Sequence, residues 1–256
     1  MNMQEQITAR LTEIETTEHV KILLAVESGS RAWGFASPDS DYDVRFIYLR
    51  RLDDYLHLEP VRDVLEYPIS DLLDFSGWDL QKALKLLGKS NQVVMEWLNS
   101  PIIYRDSSQA DELRALASDC FALKKALYHY LATAENNNRE FLQKEQVKLK
   151  KYFYVIRPLL ACRWILERHS TPPMLFSTLV EHCLPAPLKE SVDKLLDLKL
   201  HNPELKFIPK VGVLNEFIEK SLSELKATLA TLGKDPATKW AALDSYFIKT
   251  VKESDS

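Results

Sequence analysis

Hydrophobic and polar positions follow two different patterns along this chain, and the change comes near residue 107. In the first part, short apolar segments are separated by polar turns, which predicts strands at residues 20–26 and 41–49. Helical spacing predicts an amphipathic helix over residues 3–19 before them. Weaker patterns predict strands at 64–67, 72–75 and 101–104, and helices at 79–87 and 91–98.

Helical periodicity dominates the second part. Pro158 lies in a long helical pattern there and predicts a kink. Strands followed by helices indicate an α+β fold, with a mixed sheet and flanking helices in residues 1–106 and an all-helical domain in residues 107–256. The predicted helices of the second part span residues 113–133, 138–167, 175–182, 188–200, 211–232 and 240–251.

The composition excludes several classes of protein. The chain has 256 residues, of which 46% are hydrophobic and 27% charged, as in ordinary globular proteins. No apolar run approaches the roughly 20 residues of a membrane span, and we expect no membrane partner. The first residues lack the apolar region of a secretory signal, and the three cysteines never form a C-x-x-C pair. We therefore expect a reducing, cytoplasmic location and no zinc knuckle.

Charge is unevenly distributed in a chain of net charge −4. Residues 53–79 hold eight acidic residues against Arg62 alone, whereas residues 144–163 hold six basic residues against Glu145 alone. Two hypotheses remain open. The two segments face each other across a cleft, or they are two separate solvated surfaces.

The residues that suggest chemistry lie between Ser28 and Arg45. Gly29-Ser30 follows a predicted buried strand, where a glycine lets the backbone approach an anion and a helix start offers unpaired N–H groups. Asp41 and Asp43 are two positions apart on a predicted strand, which puts both carboxylates and Arg45 on one face. Adjacent carboxylates repel unless one is protonated or a cation bridges them, and Mg²⁺ is a common bridge.

Each of these features alone is weak. A Gly-Ser pair after a strand is usually only a turn, and an Asp-x-Asp beside a turn is usually a solvated loop end. Together and in this order they predict phosphoryl transfer, because a phosphate site beside a metal-binding carboxylate pair is what that reaction requires.

The sequence here resembles a known family. Gly29-Ser30 followed by Ser40-Asp41-x-Asp43 is similar to the signature of the DNA polymerase β-type nucleotidyltransferase superfamily. The longer segments around this signature, residues 29–34 and 40–48, resemble one branch of the superfamily. This RlaP-like branch consists of predicted nucleotidyltransferases associated with RNA repair. Besides the signature, the resemblance includes residues 74–80, 89–91, 96–98 and 150–160.

The resemblance implies a nucleotidyltransferase fold and a role for each matching residue. Gly29 and Ser30 would hold the triphosphate, and Asp41 and Asp43 would hold two Mg²⁺ (or Mn²⁺) ions. A third carboxylate on a neighbouring strand would complete the metal site and help activate the acceptor hydroxyl. Asp74 is our choice for this third carboxylate, with Glu66 and Asp71 as rivals.

Cationic residues form a second group of candidates. Lys151 and Arg157 lie on a basic predicted helix, which could neutralise phosphate charge or be an exposed charged face. Arg157 interrupts an apolar run, where a cation requires a partner. Arg31 and Arg45 flank the motif and either contact phosphate or pair with the aspartates.

We therefore expect a metal-dependent nucleotidyltransferase that moves a nucleoside monophosphate from an NTP to a hydroxyl or phosphate. The alternative is a non-catalytic module of the same fold that binds nucleotide or RNA. The sequence leaves open which NTP is used, the acceptor (RNA is one candidate, on the resemblance alone) and the oligomeric state.

Overall fold

The computed structural model describes residues 2–70, 72–202 and 205–254. It confirms a mixed sheet with flanking helices followed by a helical C-terminal region. The strands are β1 (Lys21–Glu27), β2 (Tyr42–Leu49), β3 (Val64–Glu66), β4 (Leu73–Asp79), β5 (Ile103–Arg105), β6 (Gln146–Lys148) and β7 (Phe207–Pro209).

Helices flank the larger sheet, and further helices make up most of the second half of the chain. None of the described helices combines the length and apolar character that a membrane crossing requires. They are α1 (Met3–Glu18), α2 (Gly29–Ala32), α3 (Leu52–Leu56), α4 (Leu80–Gly88), α5 (Gln92–Leu98), α6 (Ser108–Asp119), α7 (Leu123–Phe141), α8 (Leu149–Arg168), α9 (Phe176–Cys183), α10 (Lys189–His201), α11 (Gly212–Thr231) and α12 (Trp240–Ser254).

Five strands form one sheet in the order β3-β4-β2-β1-β5. β2 and β4 run parallel and the other neighbours run antiparallel, so the sheet is mixed. Six of the seven residues of β1 are buried, which explains its continuous apolar run. α1 begins with a capping box between Asn2 and Glu5, and its buried residues join Phe46 and Tyr48 in one apolar cluster.

The chain divides into two compact units. The first contains the described residues of Met1–Ala32, Asp41–Cys120 and Ala237–Ser256, and the second contains Trp33–Ser40 and Phe121–Pro236. α7, α8, α9 and α11 form the core of the second unit around Tyr152, Phe153 and Leu159, all fully buried.

These units differ from the division predicted at residues 106 and 107, because α6 and α12 pack with the first unit. The Tyr246 hydroxyl on α12 donates to the Gln109 carbonyl on α6 at 2.8 Å. Trp240 lies against Gly88 at the end of α4. Contacts between segments so far apart in the sequence leave no trace in local periodicity.

The second unit also contains elements that periodicity did not predict. β6 and β7 pair as a small antiparallel sheet, so the helical region is not entirely helical. The predicted helix over residues 138–167 is instead the end of α7, then β6, then α8. Pro158 lies within α8.

Candidate active site

The end of β1 places a glycine directly against a carboxylate. Gly29 lies two residues beyond the end of β1, begins the single-turn helix α2 and has φ +60°, in the left-handed region. A Cβ at residue 29 would lie 2.1 Å from Oδ2 of Asp43. Only glycine fits there, and Ser30 follows in the same turn. With four residues, α2 offers N–H groups but only a small helix dipole.

The parallel strands β2 and β4 bring two aspartates together. Asp43 and Asp74 are directly opposite each other in the register of this strand pair. Arg45, two residues after Asp43, bridges them: its Nη2 donates to Asp43 Oδ1 at 3.1 Å and to Asp74 Oδ2 at 2.7 Å. Its Nη1 donates to the Asp74 carbonyl at 3.0 Å. Of the two possibilities for Arg45, the structure shows the ion pair with the aspartates.

The surroundings of Asp43 disfavour its charged form. Desolvation by burial raises the pKa of this carboxyl, and the charges of Asp74 and Asp41 raise it further. Arg45 lowers it but does not offset burial. Another cation beside Asp43 would therefore find a carboxylate whose charge is only partly compensated.

Asp41 and Arg31 lie at the entrance to β2. Asp41 is exposed and precedes the strand by one residue, so the predicted strand begins slightly later than expected. Arg31 Nε donates to the Asp41 carbonyl at 3.1 Å, and its guanidinium lies 3.6 Å from the centre of the Tyr42 ring. Arg31 thus orients the backbone of Asp41.

The structure places two of the three candidates for the third carboxylate. Asp74 is beside Asp43, as expected of a residue on the neighbouring strand. Glu66 is exposed on the edge strand β3, opposite Ser76 of β4 and therefore one strand further from Asp43. Asp71 lies outside the described residues.

Two residues near Asp43 were missed by the sequence analysis. Glu27, at the end of β1, is fully buried, and its Oε1 accepts the Asp43 backbone N–H at 2.7 Å. Its Oε2 accepts the Tyr104 hydroxyl of β5. Burial raises the pKa of Glu27 to about 7. A charged residue ending an apolar strand next to Gly29 was the available signal, but a strand-end glutamate is usually solvated.

The two cations predicted from the basic helix lie in the second unit. Arg157 is buried in α8, where its guanidinium lies 4.5 Å from the centre of the Trp33 ring and its Nε donates to the Met174 carbonyl at 3.4 Å. Lys151 Nζ lies 3.7 Å from the centre of the Phe141 ring, and burial lowers its pKa. Both cations have local partners, and their contact with phosphate stays a prediction. That the acidic segment 53–79 and the basic segment 144–163 face each other across a cleft also stays a prediction.

The donor chemistry fits a divalent cation held jointly with a substrate. Among the described residues, no group of three or more His, Cys, Asp or Glu side chains forms a ready metal site. Mg²⁺ seldom uses such a group; it usually takes one or two carboxylates, substrate phosphates and water. Asp43 and Asp74 supply two adjacent carboxylates of this kind.

Three comparisons with known proteins bear on the family of this chain. The chain is 43% identical over 254 residues to the uncharacterized protein YcgL of Bacillus subtilis (strain 168), covering 98% of this chain and 97% of that protein. The crystal structure of a nucleotidyltransferase-like protein from Exiguobacterium sibiricum 255-15 aligns over 100% of this chain and 81% of that protein's chain. The TM-score is 0.32 and the sequence identity is 14%, so this similarity is too distant to bear on function. A family model, the RNA repair pathway DNA polymerase beta family (RlaP), matches residues 3–249. The chain therefore belongs to the RlaP family.

Proposed function

We propose that this protein is a metal-dependent nucleotidyltransferase that moves a nucleoside monophosphate from an NTP to a hydroxyl or phosphate acceptor. The observation that supports it best is the placement of Asp43 and Asp74 side by side on parallel strands, with the Gly29 turn packed against Asp43. Membership of a DNA polymerase beta family supports the same reaction class.

In this reaction an acceptor oxygen attacks the α-phosphorus of the NTP. The new bond joins that oxygen to the α-phosphorus, the bond from the α-phosphorus to the leaving oxygen breaks, and pyrophosphate departs with the electron pair. Gly29 and Ser30 bind the triphosphate, and Asp74 helps to accept the acceptor's proton. Mg²⁺ or Mn²⁺ held by Asp41, Asp43 and Asp74 would stabilise charge on the attacking and leaving oxygens.

The acceptor is the least constrained part of the proposal. The description of the family refers to an RNA repair pathway, so an RNA end is the first acceptor to test. A protein side chain and a small molecule are the others.

One observation favours the alternative, a non-catalytic module that binds nucleotide or RNA. Arg45 already bridges Asp43 and Asp74, so the pair is partly neutralised without a metal. In an enzyme, the metal and the triphosphate would have to displace the Arg45 guanidinium or share the carboxylates with it. A binding module can leave the guanidinium in place.

The deciding experiment incubates the protein with each labelled NTP, Mg²⁺ or Mn²⁺, and RNA or other acceptors. We expect label transfer by the wild-type protein and a loss of about a hundredfold or more in Asp43→Asn and Asp74→Asn, since the carboxylates hold the metal. Glu66→Gln is the matched control, because Glu66 is exposed on the edge strand.

Three outcomes are informative. Activity lost in Asp74→Asn and kept in Glu66→Gln supports Asp74 as the third carboxylate, and the reverse identifies Glu66. NTP binding without transfer in the wild-type protein, unaffected by Asp43→Asn, supports the binding module instead.

A further inference from the structure

The carboxylate of Glu27 is buried beneath the candidate active site. The residue is 0% exposed, and its two oxygens accept hydrogen bonds from the Asp43 backbone and from Tyr104. A buried carboxylate is costly unless its hydrogen bonds compensate for lost hydration. Both of these donors belong to the strands that flank β1, and one of them is Asp43 itself.

The hydrogen bond to Asp43 replaces a bond that the strand ladder would normally make. β1 and β2 are antiparallel, and Glu27 pairs with Val44, so the next pair in register is Ser28 with Asp43. A hydrogen-bonded pair in such a ladder exchanges two bonds. Ser28 N–H donates to the Asp43 carbonyl at 2.8 Å, but Asp43 N–H donates to the Glu27 side chain instead.

The replacement coincides with the turn at Gly29. There the chain leaves the strand for α2, while the Asp43 carboxylate packs against the Gly29 backbone. The end of β1 therefore holds the backbone of Asp43 through two hydrogen bonds, one to the Glu27 side chain and one from the main chain of Ser28, where the Gly29-Ser30 turn meets the strand that bears Asp43.

We infer that Glu27 is a positioning residue: its Oε1 holds the Asp43 backbone so that the Asp43 carboxylate stays between Gly29 and Asp74. This inference rests on the proposed function, since it is Asp43 as a metal ligand that Glu27 would orient. The role belongs to the position of the acceptor oxygen and not to the charge of the carboxylate.

Three substitutions of Glu27 distinguish the position of its acceptor oxygen from its charge. Glu27→Gln keeps an oxygen for Asp43 N–H and can donate to the Tyr104 oxygen through its amide. Glu27→Asp keeps a carboxyl group but withdraws the acceptor oxygen by one methylene. Glu27→Leu removes the acceptor entirely, and because it leaves Asp43 N–H unpaired, urea unfolding first establishes that it folds.

The first measurement is independent of activity. Amide hydrogen exchange of Asp43 in the metal-free protein reports directly on its hydrogen bond. We expect exchange to be about tenfold faster or more in Glu27→Asp and Glu27→Leu, and close to wild type in Glu27→Gln. Equal protection in all three variants would overturn the inference.

The second measurement is Mn²⁺ affinity together with kcat and KM for the NTP. Partners that orient a metal ligand typically contribute about tenfold to a hundredfold in affinity or rate. We expect a loss of that size in kcat and Mn²⁺ affinity for Glu27→Asp, with KM for the NTP little changed and recovery in Glu27→Gln. Leu113→Ala, which leaves a cavity at a buried position of α6 in the same unit, is the control for general destabilisation.

The outcomes distinguish this inference from the proposed function. If the wild-type protein neither binds Mn²⁺ nor transfers nucleotide, the proposed function is wrong. Glu27 then has no role in catalysis, whatever the exchange of the Asp43 amide shows. Wild-type activity with full activity in Glu27→Asp and loss in Glu27→Gln would show a role for charge and overturn the positioning role alone.

Discussion

At residue 29 the backbone and the Asp43 carboxylate occupy adjoining space with no room for a side chain. The positive φ of Gly29 and its contact with Asp43 are two separate reasons for glycine. The first concerns backbone strain and affects stability. The second concerns where Asp43 points and affects chemistry. A substitution there should therefore alter both properties.

We predict that Gly29→Ala lowers the free energy of unfolding by about 1–2 kcal/mol, the cost of a left-handed conformation for a residue with a Cβ. The rate of nucleotidyl transfer should fall by much more than the fraction of unfolded protein accounts for. The reason is that the new methyl group displaces the Asp43 carboxylate. Urea unfolding and transfer assays on the same samples test this.

Gly212→Ala is the matched control for Gly29→Ala. Apart from its chain neighbours and the backbone of its own helix, no described atom lies within 4 Å of a Cβ built at Gly212, and the residue begins α11, so alanine fits there. Similar effects of the two substitutions on transfer would contradict the account given for Gly29.

At the scale of elements, the register of β2 against β4 forms the site. Pairing of Asp43 with Asp74 follows from parallel strands whose side chains alternate between faces. A shift of one residue would move Asp74 to the opposite face. Arg45 lies two positions along β2 on the same face as Asp43, so it reaches both carboxylates.

The sequence predicted β2 and the helix α4 well because their patterns are long and regular. It also predicted a strand bearing Asp74, although too short at its C-terminal end. It missed β6, whose three residues fall inside the predicted helix over residues 138–167, and β7, whose three residues lie between two predicted helices. It gave no role to Glu27, because the burial of that side chain depends on β2 and β5, which only the folded sheet brings alongside.

The start of α4 contains a buried acid whose titration should affect stability. Asp79 is the N-cap: Oδ1 accepts Gln81 N–H at 2.8 Å, and Oδ2 accepts the Tyr55 hydroxyl at 2.9 Å. Desolvation by burial raises the pKa of Asp79, although these hydrogen bonds oppose the effect. The folded protein therefore binds this proton more tightly than the unfolded chain does.

We predict that this carboxyl makes the wild-type protein lose stability as pH rises. The stabilising effect is complete below the unfolded pKa, near 4, and disappears as pH rises through the folded pKa. Each unit of difference between these pKa values corresponds to about 1.4 kcal/mol. Asp79→Asn keeps the cap and removes the titration, so the free energy of unfolding should depend less on pH in this variant.

Urea unfolding between about pH 4 and 8 measures this difference. Asp244→Asn, an exposed aspartate on α12, is the control and should follow the wild-type pH profile. A pH dependence of Asp79→Asn identical to that of the wild type would show that Asp79 does not contribute.

At the scale of the whole molecule, the chain passes from one compact unit to the other between its two motifs. Gly29 and Ser30 belong to the first unit, residues Trp33–Ser40 to the second, and Asp41 and Asp43 again to the first. Domain division by position along the sequence could not predict this, because the inserted segment is short. Its anchoring depends on aromatic residues of α8 and α9, far along the chain.

Phe35 is the centre of that anchor. It is 1% exposed, and its ring centre lies 5.1 Å from that of Phe153 and 5.5 Å from that of Phe176. Its carbonyl accepts a hydrogen bond from Lys199 Nζ at 2.6 Å, and the Trp33 carbonyl accepts one from Phe176 N–H at 2.9 Å. The second unit thus fixes the segment that joins Arg31 to Asp41 along the chain.

We predict that Phe35→Ala destabilises the protein by about 3–5 kcal/mol, as expected for a large core aromatic residue. The released segment, residues 33–40, should also become more mobile. Phe217→Ala is the matched control, because Phe217 lies in the same apolar cluster but on α11. Thermal unfolding measures the stability of both variants, and amide hydrogen exchange measures local opening of the segment. We expect faster exchange in this segment for Phe35→Ala than for Phe217→Ala. If both variants show the same exchange there, Phe35 does not anchor the segment and its contribution is limited to the stability of the apolar cluster.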